Sequence, residues 1–411
     1  MNQFSELSLS PVLQRNLAKQ GFSEPTPVQA QAIPPALAGR DVVATAQTGT
    51  GKTLAFVLPL LETLSHETPR GGIRAVILAP TRELAMQIDE TFAKISAGSG
   101  IRAALVVGGL NERTQLQAIR KGAQVLIATP GRLCDFLSRN LVNLGTVRVL
   151  VLDEADRMLD MGFLPAIKRI VAATPANRQT LFFSATMEAS VKHLIEAHVT
   201  DAVRIAIGSI SRPVEQVDLH LYEVGQEQKF GLLELLLRQE QGTFLVFTRT
   251  KHGADRLSKR LAAGGAKTVA IHGNRSQSQR NQALGGFQTG RYRVLVATDV
   301  VARGIHVEGI AHVVNYDLPQ VPEDFIHRVG RTGRAGAGGA ASTFSTILER
   351  RDVAAIERAL GIRMTRHLVS GEIAPEQKAT GTVIEMPQQK WRRTFSPGGR
   401  RAVRRRVQGA I

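Results

Sequence analysis

Cysteine is nearly absent. Cys134 is the only one in 411 residues, so no internal disulfide can form and a reducing compartment is expected. Aromatic residues are scarce too, with 15 Phe, 3 Tyr and 1 Trp making up 5% of the chain. A protein that grips single strands by base stacking needs a row of aromatics, so any nucleic-acid contact here would be mainly to the backbone. No run reaches the ~18 apolar residues of a membrane span, which excludes an integral membrane protein. The N-terminal MNQFSELSLS lacks the basic start and apolar stretch of a secretory signal, and a cytoplasmic location is expected. Acids are outnumbered, 35 against 52 Lys and Arg, for a formal charge of +17. The shortage is sharpest from Pro387 to Ile411, where Lys390 and seven arginines meet no acid. That segment is expected to be a disordered tail that binds polyanions, the plainer alternative being a solubilising tail.

What is present is ordinary for a globular chain: 43% hydrophobic residues, 21% charged, and a length that suits two or three domains. Short apolar, β-branched runs alternate with segments of helical length. Strands are expected at Val42–Ala46, Arg74–Ala79, Val125–Ala128, Val147–Leu152 and Thr180–Ser184. A second series follows at Thr243–Phe247, Thr268–Ile271, Val294–Ala297, His312–Tyr316 and Ala341–Ser345. Continuous apolar runs of this length read as parallel strands buried on both faces. The pattern predicts an α/β fold, a doubly wound parallel sheet written twice. The Gly, Ser and Pro of IGSISRPV mark a linker at 207–214. Lobe one is then 1–206, lobe two 215–362 and the basic tail 363–411.

Chemistry enters at AQTGTGKT, Ala46 to Thr53, which follows a strand and precedes a helical run. Backbone N–H groups of such a loop point at phosphates, Lys52 reaches the terminal phosphates, and the Thr53 hydroxyl can ligand Mg²⁺. Ala46 stands where the general pattern has Gly. In VLVLDEAD, four apolar residues deliver Asp153 and Glu154 to the carboxyl end of a buried strand, where α/β ligand sites open. Asp153 can hold Mg²⁺, and Glu154 can orient and deprotonate the attacking water.

AQTGTGKT together with Asp153-Glu154-Ala155-Asp156 resembles the DEAD-box ATP-dependent RNA helicases. The resemblance runs from about Phe4 to about Arg334. It takes in Gly21-Phe22 with Pro25–Gln29, then PTREL from Pro80, Gly108-Gly109, TPGR from Thr129, and Ser184-Ala185-Thr186. Lobe two adds VFTR to Arg249, Gln277 with Arg280, Ala297-Thr298-Asp299, Arg303-Gly304 and HRVGRTGR from His327 to Arg334. The compact core and basic tail look most like the bacterial RhlE type.

The resemblance implies two tandem RecA-like domains, ATP and Mg²⁺ as cofactors, and RNA as partner. It places Phe4, Phe22, Gln29, Ala46, Gln47, Thr48, Gly49, Thr50, Gly51, Lys52, Thr53, Asp153, Gly304 and His306 around the nucleotide. Thr53 and Asp153 would serve the metal. Gln29 carries a carboxamide able to donate and accept at the adenine edge together. Glu154, Lys52, Arg331 and Arg334 would be catalytic, the two arginines acting in cis on the γ-phosphate. Arg328, Arg331 and Arg334 fall at i, i+3, i+6, near one face of a turn or helix. RNA contacts would come from Pro80, Thr81, Arg82, Gly108, Gly109, Thr129, Pro130, Gly131 and Arg132. On lobe two they would come from Arg249, Gly273, Gln277, Arg280 and Thr298. Ser184 and Thr186, with Asp156 and His327, would couple the ATP state to strand separation. The family usually has Asp where His306 stands, and a neutral imidazole accepts one hydrogen bond where a carboxylate accepts several. The implied activity is an RNA-dependent ATPase that unwinds short duplexes. The alternatives are an ATP-gated clamp or annealing chaperone and, more weakly, a DNA-directed helicase. Ribosomal or RNA-decay proteins would be partners by family analogy alone.

Overall fold

A computed structural model describes residues 1–46, 50–66, 71–207, 217–299, 309–333 and 338–369. Lobe one runs through a 3-10 turn at Phe4–Glu6, α1 (Pro11–Lys19), α2 (Pro27–Leu37), β1 (Val42–Thr45), α3 (Lys52–Ser65), β2 (Ala75–Leu78) and α4 (Arg82–Ile95). It continues with β3 (Ala103–Val106), α5 (Glu112–Arg120), β4 (Val125–Ala128), α6 (Pro130–Ser138), β5 (Val149–Leu152) and α7 (Ala155–Asp160). Then come α8 (Leu164–Ala172), β6 (Gln179–Ser184), α9 (Ala189–His198) and β7 (Val203–Ala206). Lobe two holds β8 (Val217–Glu223), α10 (Lys229–Gln239), β9 (Phe244–Phe247), α11 (Lys251–Ala263), β10 (Thr268–Ile271) and α12 (Gln277–Gln288). It closes with β11 (Val294–Ala297), β12 (His312–Asn315), α13 (Pro322–Val329), β13 (Gly339–Ser345), α14 (Arg350–Leu360) and β14 (Thr365–Leu368).

Each lobe is one parallel seven-stranded sheet, ordered β3-β4-β2-β5-β6-β1-β7 and β10-β11-β9-β12-β13-β8-β14. Numbered from each lobe's own first strand, the two orders are identical. The strands β2, β4, β5, β9 and β11 are buried at every position because helices cover both faces. Alternate residues feed opposite cores: Val42 and Ala44 pack with α2 and α3, whereas Val43 packs with α6, α8 and α9. The helices are amphipathic to match. Helix α4 starts where the Thr81 hydroxyl accepts the Leu84 N–H at 3.2 Å, and it buries Ala85, Ile88, Phe92 and Ile95 at helical spacing.

The structure corrects the expected end of lobe two at 362. Strand β14 adds to the edge of the second sheet, its Thr365 to Leu368 paired in register with His220 to Glu223. The stretch TRHL is polar because it is an edge strand with mostly exposed positions, which hid it from an apolar-run reading. The linker from 208 and the basic tail from 370 lie outside the described residues.

Candidate active site and nucleic-acid interface

The shared strand order sorts the motifs along the carboxyl edge of sheet one. Neighbours β5, β6 and β1 deliver Asp153-Glu154, Ser184 and Ala46. Neighbours β3, β4 and β2 deliver Gly108-Gly109, Thr129-Pro130 and Pro80-Thr81. One half of the edge therefore carries the acids and the start of the glycine-rich loop, and the other is glycine, hydroxyl and arginine.

On the acidic half, Gly51 starts α3 from a left-handed backbone (φ 86°). A Cβ there would stand 2.5 Å from the Gln29 amide nitrogen, so glycine is required for the close approach. Gln29 donates to the Gly51 carbonyl at 2.9 Å and accepts from the Thr26 N–H at 2.9 Å. Both ends of the carboxamide expected to read adenine are thus bound to backbone, and Gln29 ties α2 to the phosphate loop. Lys52, buried, donates to the Ala46 carbonyl at 2.8 Å. Of the two candidate rings, Phe4 is a core residue at 3% exposure, and Phe22 is the accessible one at 39%. Gln47, Thr48, Gly49, Gly304, His306 and Arg334 lie outside the described residues; Thr50 and Thr53 stand beside the start of α3.

Asp153 is 2% exposed, and burial pushes its pKa up to about 7 despite the neighbouring Lys52 ammonium. Glu154 sits in a left-handed conformation (φ 50°) that non-glycine residues rarely adopt, a strain of the kind held at functional sites. Burial alone would raise the Glu154 pKa. Arg157, Lys52 and Arg331 outweigh it and hold the carboxyl below its ordinary value. Arg157, 2% exposed, donates to Glu154 Oε2 at 2.6 Å; it was not among the expected site residues, and only its i+3 spacing hinted at it. Asp156 accepts the N–H groups of Ala185 (3.0 Å) and Thr186 (2.9 Å) and the Thr186 hydroxyl (3.2 Å), while the Ser184 hydroxyl donates to the Thr186 carbonyl. The acidic motif and the Ser184–Thr186 turn are therefore one hydrogen-bonded unit.

The other half opens on a cleft of about 600 Å³. Pro80, Thr81, Arg82, Gly108, Thr129, Gly131, Arg132, Gly273 and Arg280 line it, nine of the residues expected to contact RNA, joined by Glu83, Asp135, Met161 and Phe163. Gly109, Pro130, Arg249, Gln277 and Thr298 do not line it. Glu83 lies at the meeting of the lobes. Its carboxylate pairs with Arg280 Nη1 at 2.6 Å and accepts from Gln277 Nε2 at 3.1 Å, and Arg280 also donates to Gln277 Oε1 at 2.7 Å. These side chains are almost wholly buried. Burial, then the nearby Arg280, lowers the pKa of Arg82.

Arg328 parts company with Arg331. It is 2% exposed, forms a two-pronged pair with Asp299 at 2.6 and 2.7 Å, and donates to Asn315 Oδ1 and the Asp317 carbonyl. It fastens β11, β12 and α13 together instead of sharing a phosphate-facing surface. Arg331 Nε donates to the His327 carbonyl at 3.1 Å, and its charge reaches Glu154 in the other lobe.

The family model "DEAD/DEAH box helicase" matches residues 26–194 and "Helicase conserved C-terminal domain" matches 228–336. The DEAD-box ATP-dependent RNA helicase CshA of Bacillus licheniformis is 43% identical over 364 residues, covering 88% of this chain and 74% of that protein. The chain belongs to the DEAD-box helicase family. The CshA of Bacillus subtilis is 41% identical, covering 88% of this chain and 73% of that protein. These relatives bear the name CshA, so the finer RhlE expectation draws no support from them. Among solved DEAD-box structures, Saccharomyces cerevisiae Dbp5 bound to RNA and ADP BeF3 matches with TM-score 0.80 and 32% identity, over 90% of this chain and 96% of that one. Mss116p bound to ssRNA and AMP-PNP matches with TM-score 0.81 and 29% identity, over 90% and 80%. Dbp5 bound to Nup159, Gle1, IP6 and ADP overlaps less, at 0.60. Both lobes have the RecA-like fold of these structures.

Proposed function

We propose that this DEAD-box protein is an RNA-dependent ATPase that unwinds short RNA duplexes or remodels RNA–protein complexes by closing its two lobes. One observation carries the reading: the carboxyl of Glu154 feels Lys52 and Arg157 from its own lobe and Arg331 from the other. A hydrolytic site assembled from both lobes works only when they are together. The cleft bearing the expected RNA residues also takes members from both lobes, so RNA and ATP both bind best to the same closed state and each strengthens binding of the other. Glycines and hydroxyls along its wall suit phosphate and 2′-OH contacts over base reading.

Mg²⁺ fits the residues present. Asp153 is a buried carboxyl pushed up by burial, a cost that an adjacent cation removes. No cluster of three or more His, Cys, Asp or Glu that could cage a metal occurs among the described residues. That agrees with an ion held by one or two protein oxygens and substrate phosphates. Asp153 and Thr53 would hold it, and it would neutralise charge on the phosphates. Lys52 would meet the terminal phosphates. Glu154, kept ionised by its cationic neighbours, would orient the attacking water and take its proton. Arg331 would stabilise the charge that develops on the γ-phosphoryl group, with Arg334 as its expected companion. Asp156 would report the change to Ser184 and Thr186.

A Glu154 held ionised and an Arg331 within its reach favour turnover over a clamp that holds RNA without hydrolysis. We place the chain with CshA-like proteins in the cytoplasm; no helix among the described residues is long and apolar enough to cross a membrane. Strand displacement on RNA and DNA duplexes, with and without ATP, tests the function. ATP-dependent displacement of RNA alone is expected; displacement without ATP, or of DNA equally well, would refute it.

A further inference from the structure

Lys229 at the start of α10 is 1% exposed, a rare setting for a lysine unless it is paired. Its ammonium donates to the Tyr316 carbonyl at 3.0 Å and faces two carboxylates, Glu349 at 3.7 Å and Asp317 at 3.9 Å. Both carboxylates also hold Arg249, which is half-exposed at the carboxyl end of β9. Asp317 accepts its backbone N–H at 2.9 Å, and Glu349 lies 3.4 Å from its guanidinium. Glu349 cannot swing away, because its other oxygen accepts from the Thr346 N–H at 2.9 Å and the Thr346 hydroxyl at 3.0 Å.

The charges decide what this arrangement does. An arginine offered to an RNA phosphate has a competing anion fixed beside it in its own lobe. With Lys229 present, two carboxylates face two cations and the cluster is neutral. Without it, the cluster is negative by one charge, Glu349 draws the guanidinium inward, and the local field repels the strand. We infer that Lys229 is a positioning residue for RNA binding, neutralising Glu349 and Asp317 so that Arg249 is anchored by its backbone while its guanidinium stays available to a phosphate. This rests on the reading of Arg249 as an RNA contact, made above, and deepens it.

The test uses the full chain and a fluorescein-labelled single-stranded RNA in the presence of a non-hydrolysable ATP analogue. Arg249→Ala should weaken binding by about tenfold, the size of one charge-assisted hydrogen bond. Lys229→Met should weaken it by roughly five- to tenfold, and Glu349→Gln should tighten it by about twofold, the competitor having lost its charge. The combination Lys229→Met with Glu349→Gln should return affinity to within about twofold of the parent, as only a charge balance predicts. In ATPase assays the Lys229→Met loss should appear in the RNA concentration for half-maximal rate, with the plateau retained. A double variant weaker than Lys229→Met alone would make Lys229 merely structural and overturn the inference. If Lys229→Met does not fold, Glu349→Gln alone decides, and weakened binding overturns it. Unchanged affinity in Arg249→Ala would instead overturn the parent reading, by removing Arg249 from the interface.

Discussion

Replacing Glu83 by Gln keeps the side chain's size and its bond to Gln277 but removes the negative charge facing Arg280. The perturbation is severe on paper, because the pair is 2.6 Å apart with side chains 4% and 7% exposed. Deleting one partner of a buried pair costs ~3–5 kcal/mol when the orphaned charge stays buried. Here it need not stay buried, since parting the lobes returns Arg280 to water. The cost therefore appears as a shift from closed to open, bounded by a charged hydrogen bond at ~1.5–3 kcal/mol. That corresponds to a loss of roughly ten- to a hundredfold in affinity for RNA in the closed state. Anisotropy with a labelled RNA, measured with and without a non-hydrolysable ATP analogue, separates the states. The loss should appear with the analogue and be small without it, and a fluorophore pair across the lobes should report less closure. An equal loss without nucleotide would show that Glu83 acts inside lobe one, and no loss would make the bridge incidental.

Glu154→Gln should leave ATP binding intact while RNA-stimulated turnover falls by ~10²–10³, the usual cost of one well-placed group in such a site, as read by steady-state ATPase. Gly51→Ala combines a positive φ with a Cβ 2.5 Å from Gln29, so nucleotide binding by calorimetry should be lost in a protein that still melts cooperatively. Asp153, with a pKa of about 7 against 3.8 unfolded, binds more protons folded than unfolded between those values, so the nucleotide-free protein loses stability as pH rises through that window. Mg-nucleotide needs the ionised form, so its stabilising shift in Tm should grow from about pH 6 to about pH 8, and Asp153→Asn should flatten the trend. Cutting after Met386 removes eight positive charges; RNA affinity should become less salt-sensitive by about two to five contacts at ~0.7 each, similarly on two unrelated RNAs. Parallel salt slopes would make the tail a spectator.

The core strands were legible because burial on both faces leaves continuous apolar runs such as VLVL at Val149–Leu152. The strands that escaped sit at or near sheet edges: Val203–Ala206 in lobe one and Val217–Glu223 and Thr365–Leu368 in lobe two carry polar residues, while Ala103–Val106, AALV, is apolar but only half buried and poor in β-branched residues. At the site, motif context brought out Lys52, Asp153 and Glu154, and the family resemblance supplied most of the residues lining the cleft. Both missed what depends on three-dimensional partners. Glu83 reads as one more acid in a helix first turn until Arg280 is found against it from 197 residues away. Arg157 and Lys229 look like ordinary surface cations and prove almost wholly buried. Arg328 has the spacing of a phosphate-facing residue but packs inward on Asp299.

The repeated strand order has a consequence for how this protein tolerates mutation. Among the described residues, each of the four apolar clusters draws all its members from one lobe. Among the described residues no strand pairing crosses from one sheet to the other. A packing change that weakens one lobe therefore leaves the other intact, and the two halves can drift independently in their interiors. The burden of matching falls instead on the few side chains where the halves meet. Among the described residues these are Glu83 with Gln277 and Arg280, and Glu154 with Arg331, so a change at one member is felt by its partner in the other lobe.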